Sequence, residues 1–228
     1  MKNEQKTYDR HTAKFIATLI QNMPRISDDV MQGWIENPEA LQRVLKRELC
    51  PPEPIRSWRE EDGVIYFSVT SDGTTGEDWI KRLEGNGFRV GDYAKQVLRS
   101  PDLKPTNGVT TEVAVLKGML FEDNDRITKK IRAEADKRKL SKPNAELACL
   151  IREKFTDKEI EAMGLWYIVA MHEPINDSGG GPVLLYADRS DDGRWLDACI
   201  DRPGSRWSRD YGFAFAVSSK PAETPVDK

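Results

Sequence analysis

Leu-Trp-Tyr-Ile-Val-Ala-Met-His-Glu-Pro-Ile, Leu165 to Ile175, and Phe-Ala-Phe-Ala-Val-Ser, Phe213 to Ser218, are the stretches whose reading decides the fold. The first is apolar on both alternating faces, as a strand in the middle of a sheet must be. In the second, Phe213, Phe215 and Val217 alternate with small residues, so one face is bulky and the other flat. Val183 to Asp188 and Trp195 to Ile200 lie between them as two further strands. The connecting segments, Asn176 to Pro182, Arg189 to Gly193 and Asp201 to Ser205, are rich in Gly, Asp, Asn and Pro, the residues of tight turns. Gly164 to Ser218 therefore predicts an antiparallel β-meander. It also holds three of the six Trp and three of the six Tyr, which makes it the expected working surface.

Upstream, the middle third alternates strands with capped helices. Val64 to Thr70 is β-branched and aromatic and predicts a strand. Thr74/Glu77 and Thr75/Asp78 both have capping-box spacing for a helix carrying Trp79, Ile80 and Leu83, and Gly85-Asn86-Gly87 stops it. A second helix holds Tyr93, Ala94, Val97 and Leu98 and ends before Pro101. Thr111 to Phe121 predicts the next strand, and Asp125 a cap for a helix with Ile127, Ile131 and Ala135. Ser141-Lys-Pro predicts the start of a helix holding Leu147, Leu150, Ile151 and Phe155, and Thr156/Glu159 another capping box stopped by Gly164. The first 55 residues are expected to be helical: one stripe through Phe15, Leu19, Ile20 and Met23, one through Val30, Met31, Trp34 and Ile35, and one through Leu41, Val44, Leu45 and Leu49. Cys50-Pro-Pro-Glu-Pro is a linker, and residues 219–228 read as a disordered tail. The expected fold class is α+β: helices at residues 1–55, then an α+β domain over 56–218 that ends in the meander.

Composition narrows the function. The chain has 228 residues, 32% of them charged, and a net charge of −3 with signs interspersed, which argues against a dedicated polyanion binder. Three cysteines without close spacing, Cys50, Cys149 and Cys199, form no disulfide framework and no zinc pattern, so reduced thiols in a cytoplasmic protein are expected. No run approaches 18 apolar residues and the N-terminus lacks a continuous apolar core, so neither a membrane span nor a signal peptide is predicted.

Each sharp motif fails at a named position. Asp188-Arg-Ser-Asp-Asp-Gly begins like an EF-hand loop, but its twelfth position is Cys199 where a bidentate Glu is required. Gly179 to Gly181 precede a Pro and a strand, whereas a phosphate cradle needs a helix N-terminus. Ser71 to Gly76 does open a helix but lacks Lys and leads into Glu77-Asp78. His172-Glu173 lacks the second His of a zincin, and His11 is the only other histidine. A Cys199–His172 pair has no local support for a nucleophile's environment. No metal or cofactor is expected.

Two clusters remain. Arg126 to Lys142 carries eight Lys/Arg, among them Arg126, Lys129, Lys130 and Lys137, against Glu134 and Asp136, and could lie along nucleic-acid phosphates from a helix face. No aromatic is interleaved with it for base stacking. Arg194, Trp195, Arg206, Trp207, Arg209 and Tyr211 crowd one end of the meander, and Trp, Tyr and Arg are the residues that anchor recognition surfaces.

Trp166 to Gly180 and Asp191 to Cys199, with Pro203, Trp207 and Phe213-Ala-Phe-Ala-Val, resemble an uncharacterised family of small bacterial proteins. The likeness covers roughly Ser57 to Ser218. It implies no activity, and it implies that relatives need not keep His172. The Trp-rich terminal hairpins are more loosely similar to the C-type-lectin-like ends of variable proteins made by diversity-generating retroelements, which vary side chains on a terminal sheet to bind different partners. The leading expectation is a non-enzymatic recognition module that binds protein or another ligand through the meander. A nucleic-acid-associated protein and a carboxylate-based hydrolase are the alternatives.

Overall fold

Phe213 and Phe215 point to one side of a strand, and Gly212 and Ala214 to the other; that strand joins two halves of a single sheet. A computed structural model of the protein describes residues 10–49, 56–190 and 193–218. The Cys50–Pro54 linker, the Asp191-Asp192 turn and the tail at 219–228 lie outside the described residues. The chain divides into two units, Met1–Ile55 and Arg56–Lys228.

In the first unit three helices follow one another, α1 (Arg10–Gln21), α2 (Asp28–Glu36) and α3 (Pro38–Leu49). Asn37 caps α3 by accepting the Ala40 N–H at 3.1 Å, with Pro38 at the first helical position. The amphipathic stripes are present but shallowly covered: Phe15, Ile20, Val30, Met31 and Ile35 are all exposed, and α2 buries nothing.

The second unit contains β1 (Arg59–Glu61), β2 (Val64–Asp72), α4 (Gly76–Gly85), β3 (Arg89–Val90), α5 (Asp92–Arg99) and β4 (Asn107–Lys117). These are followed by α6 (Thr128–Lys137), β5 (Leu140–Ser141), α7 (Leu147–Lys154) and α8 (Asp157–Ala162). It ends with β6 (Tyr167–Ala170), β7 (Ile175–Asn176), β8 (Pro182–Asp188), β9 (Trp195–Ile200) and β10 (Tyr211–Val217). All ten strands form one sheet in the order β1-β2-β4-β10-β6-β8-β9-β3, with β5 added to β10 and β7 to β8. Pairing is antiparallel except for β10 with β6 and β3 with β9. The α+β class holds. Strands β6, β8 and β9 are the meander; β10 leaves it and returns between β4 and β6.

Side-chain alternation sorts the core into two layers. On one face Ile65, Phe67, Val113, Val115, Ile168, Leu185 and Leu196 meet Trp79, Ile80 and Leu83 of α4, Val97 and Leu98 of α5, Ile151 of α7 and Ile160 of α8. On the other, Leu116, Val169, Leu184, Phe213 and Phe215 meet Ile131 and Ala135 of α6. Gly212 belongs to the first face. A Cβ there would stand 2.6 Å from Val115 and 2.8 Å from Leu165, so the glycine lets Leu165 lie against the strand.

Several boundaries depart from the sequence reading for identifiable reasons. The fourth strand begins at Asn107 rather than Thr111, because β2 supplies a partner as far as Asp72↔Asn107, and it ends in a 3₁₀ turn at Gly118–Leu120. Asp125 does not cap α6. The first-turn amides are satisfied instead by distant carbonyls, Thr128 N–H donating to Ser205 O at 3.2 Å and Lys129 N–H to Pro203 O at 3.0 Å. Helix α7 starts at Leu147, after the Asn144 side chain has accepted the Glu146 N–H in a turn. The strand expected from Trp166 to Ile175 is two strands. After Val169↔Tyr186 the register with β8 resumes only at Ile175↔Val183, so Ala170 to Pro174 bulge opposite Leu184 and Leu185. Pro174 has no N–H for a ladder.

Candidate functional site

The α6 face of the sheet is only partly covered. Helix α6 has ten residues, about 15 Å of length and about 10 Å of width, while β4, β10, β6, β8 and β9 together span about 19 Å. The helix contributes Ile131 and Ala135 to the buried layer on this face. Across the rest, period-two alternation brings a row of residues opposite one another: Tyr211 on β10, Tyr167 on β6, Asp188 on β8 and Trp195 on β9. The next row holds Phe213, Val169, Tyr186 and Asp197.

The rings of these rows touch. Tyr167 and Tyr211 have centroids 4.4 Å apart, and Tyr167 and Tyr186 5.5 Å apart with planes at 71°. Trp207, from the β9–β10 connection, leans over them, 5.8 Å from Tyr211 and 5.6 Å from Phe213. Its indole N–H donates to Thr128 Oγ1 at 2.9 Å, and its backbone N–H to Arg126 O at 3.0 Å. The β9–β10 connection is thus pinned to the start of α6. Under Trp207 lies a cavity of about 170 Å³ with Val169, Tyr186, Cys199 and Tyr211 around its floor and Arg206 and Ser208 at its rim.

Burial and neighbouring acids set its electrostatics. Burial raises the Tyr186 phenol, and Asp197, whose Oδ2 lies 3.4 Å from the hydroxyl, adds to the effect. Burial raises Tyr211 to about 12, with Tyr167 and Asp210 contributing. Burial likewise pushes the Cys199 thiol up to about 12, so it is a protonated, inert wall.

Of the residues singled out in sequence, Arg206, Trp207 and Tyr211 meet at this cavity. Trp195 shares the sheet face but stands three strands away from Tyr211, about 14 Å, under the Arg89 guanidinium. Arg194 has the opposite parity; it covers the Phe88 ring at 4.5 Å and donates to the carbonyls of Asn86 and Gly87. Arg209 is exposed and does not line the cavity. Tyr167 and Tyr186 were not singled out. Their signal is the strict alternation Tyr167-Val169-Met171 and Leu184-Tyr186-Asp188, which places them with Tyr211.

The basic stretch is not one helix face. Arg126 precedes α6 and is buried, its guanidinium donating to Gly118 O and Phe121 O at 2.8 Å and to Asp123 at 3.0 Å. Lys130 pairs with Asp125, Arg132 with Asp201, Lys137 and Arg138 with Glu134, and Lys142 with Glu173. Lys129 and Lys139 are the two of the eight without a carboxylate partner among the described residues.

The remaining motifs are structural in their surroundings. Both His172 nitrogens are engaged with backbone, Nδ1 with Glu173 O at 2.7 Å and Nε2 with the Leu185 N–H at 3.0 Å. In the Ser71–Gly76 turn, Thr75 caps α4 through the Asp78 N–H, and Asp72 is bound to Thr74 and Arg82. Asp188 is buried on β8 and accepts from Ser190 at 2.5 Å. Among the described residues no three His, Cys, Asp or Glu side chains form a metal-ligand set, and no helix is long and apolar enough to cross a membrane.

No family model, curated protein or solved structure matches the chain.

Proposed function

We propose that the protein works by recognition, and that its ligand docks on the uncovered aromatic part of the sheet beside α6. The observation that supports this is the Tyr167–Tyr186–Tyr211–Trp207 cluster: four large rings, each only half-buried, three of which, Tyr186, Tyr211 and Trp207, line a cavity that none of the described residues fills. Half-buried Tyr and Trp on rigid strands present large apolar area at small entropic cost and carry most of the energy at binding surfaces. The cavity is smaller than the roughly 300–1,000 Å³ of a pocket for a drug-sized molecule, so it suits a single projecting group rather than a whole ligand.

The other two readings draw less support. The cations of 126–142 are mostly spent on intramolecular pairs, which leaves few for phosphates. In a cleft of about 490 Å³ along α6, Asp125 is held by Lys130 and Glu134 by Arg138, which lowers the Glu134 pKa and keeps it an acceptor rather than a general acid.

The indole N–H resonances report directly on the docking face. A fragment library titrated against the protein should shift the Trp207 signal and leave that of buried Trp79 unmoved. A library that never moves Trp207 at millimolar concentration would sink the proposal.

A further inference from the structure

We infer that the connection between β9 and β10 binds single-stranded nucleic acid, with phosphates on Arg202, Arg206 and Arg209 and one base in the cavity under Trp207. This rests on the recognition reading and names its ligand class. Arg202, Arg206 and Arg209 are exposed, and none has a carboxylate or carbonyl partner among the described residues. By contrast Arg82, Arg99, Arg126, Arg132, Arg138 and Arg152 each hold a carboxylate. Lys129, also exposed and without a carboxylate partner among the described residues, joins the three, because its backbone N–H donates to Pro203 O at 3.0 Å. The connection is held in place: Thr128 N–H donates to Ser205 O at 3.2 Å, Arg206 forms a β-bridge with Ile127, and Trp207 is bonded to the start of α6 through its backbone and its indole. Cations on a segment already fixed lose little freedom when a phosphate arrives.

The carboxylates nearby do not cancel this charge. Residues 202–209 include no acid. Asp201 is buried against Arg132 at 2.8 Å, and Asp210 has its Oδ1 buried. At the entry to α6, Asp123 is held by Arg126 and Asp125 by Lys130, and Glu122 lines the separate cleft along α6. Asp188 and Asp197 belong to the sheet and do not line the cavity; Asp188 accepts from Ser190, and Asp197 from the Ala198 N–H at 2.8 Å. Arg206 is the one charged residue of the cavity wall, and it stands beside the rings of Tyr186, Trp207 and Tyr211. Rings and cations side by side are what a single strand requires, since each nucleotide presents a flat base and a phosphate. An acidic peptide answers only the arginines, and an uncharged ring only the cavity. In a duplex the bases are stacked on one another and cannot enter.

Titration of the full chain with an oligothymidylate of about ten nucleotides tests this, read by fluorescence anisotropy and by the Trp207 indole resonance. The strand should bind, shift Trp207 and weaken as salt rises. A duplex of the same length and a polyglutamate peptide should each bind at least about tenfold more weakly. The triple variant Arg202→Gln/Arg206→Gln/Arg209→Gln, altered only at exposed side chains, should keep the thermal midpoint of the parent. It should lose at least about tenfold in affinity at low salt and reduce the slope of log K against log salt by about 2. Lysine at the same three positions should restore most of the binding, because phosphate contact needs the charge. No binding of the strand at low salt overturns the inference, as does equal binding of strand and duplex or of strand and polyglutamate. A triple variant that binds like its parent does the same. In each of these cases a Trp207 resonance that still moves with other fragments leaves the recognition reading standing. A Trp207 resonance that moves with no ligand overturns both.

Discussion

The Nε2 of His172 accepts the backbone N–H of Leu185 at 3.0 Å. The imidazole stands where the carbonyl of an adjacent strand would stand, and so repairs the β8 ladder across the bulge that separates β6 from β7. Because Nδ1 faces the Glu173 carbonyl at 2.7 Å, the ring is the neutral tautomer with its proton on Nδ1. Burial lowers its pKa below the ordinary 6.5. The unfolded chain therefore takes up a proton near pH 6.5 that the folded chain refuses, and stability falls as pH falls below that value. Urea midpoints measured between about pH 7.5 and pH 5.5 should decline for the native chain and stay flatter for His172→Gln, which can still accept but cannot titrate. His172→Leu leaves a buried N–H unpaired and should cost about 1–3 kcal/mol at neutral pH.

Arg126 is expected to behave as a buried brace. Its guanidinium ties the 3₁₀ turn after β4 to the start of α6 through three acceptors. Arg126→Met keeps the apolar volume and removes those bonds, and chemical denaturation should show a loss of about 2 kcal/mol. Lys129→Ala, one residue into α6 and exposed, should fall within about 0.5 kcal/mol of the parent.

Gly118 cannot take a side chain. A Cβ would lie 2.7 Å from Ser208 O, 2.9 Å from Arg209 O and 3.0 Å from Tyr211 O, and backbone carbonyls cannot swing aside. Gly118→Ala should cost about 1–3 kcal/mol by thermal unfolding. It should also move the Trp207 resonance, because the strain falls on the connection that carries that ring.

The two tryptophans of the meander should separate in their effects. Trp207 packs on Tyr211 and Phe213 and makes a hydrogen bond, whereas Trp195 rests at the sheet margin under Arg89. Trp207→Ala should lower stability by about 2 kcal/mol or more and Trp195→Ala by less, measured by denaturant midpoint.

What was legible in the sequence depended on how local its cause was. The Thr156/Glu159 capping box and the Thr75 cap, the Gly164 stop, the end of β8 and both edges of β9 follow from residues a few positions apart, and they stand where the spacing places them. The α6 start, the break at Met171–Pro174 and the placement of β10 depend on partners 13 to 103 residues away in sequence, such as Leu185 for His172, Ser205 for Thr128 or Val113 for Ala216, which no local pattern contains. The site shows the same division. Trp207 and Tyr211 stood out by composition, but the neighbouring rings of Tyr167 and Tyr186 needed strand neighbours that only the sheet order reveals. Arg194 and Trp195 are adjacent in sequence and were grouped for that reason; strand alternation sends them to opposite faces.

Strand β10 lies at the middle of the sheet, although it is the last strand of the described chain. Until residues 211–217 have left the ribosome, β4 and β6 each present an open edge, and β1-β2-β4 and β6-β8-β9-β3 are separate half-sheets that share no ladder. Both open edges are rich in β-branched residues, the kind of exposed strand that pairs with neighbouring chains. The nascent protein thus passes through an interval in which its greatest hazard is self-association, and the short run Tyr-Gly-Phe-Ala-Phe-Ala-Val ends that interval by occupying both edges at once.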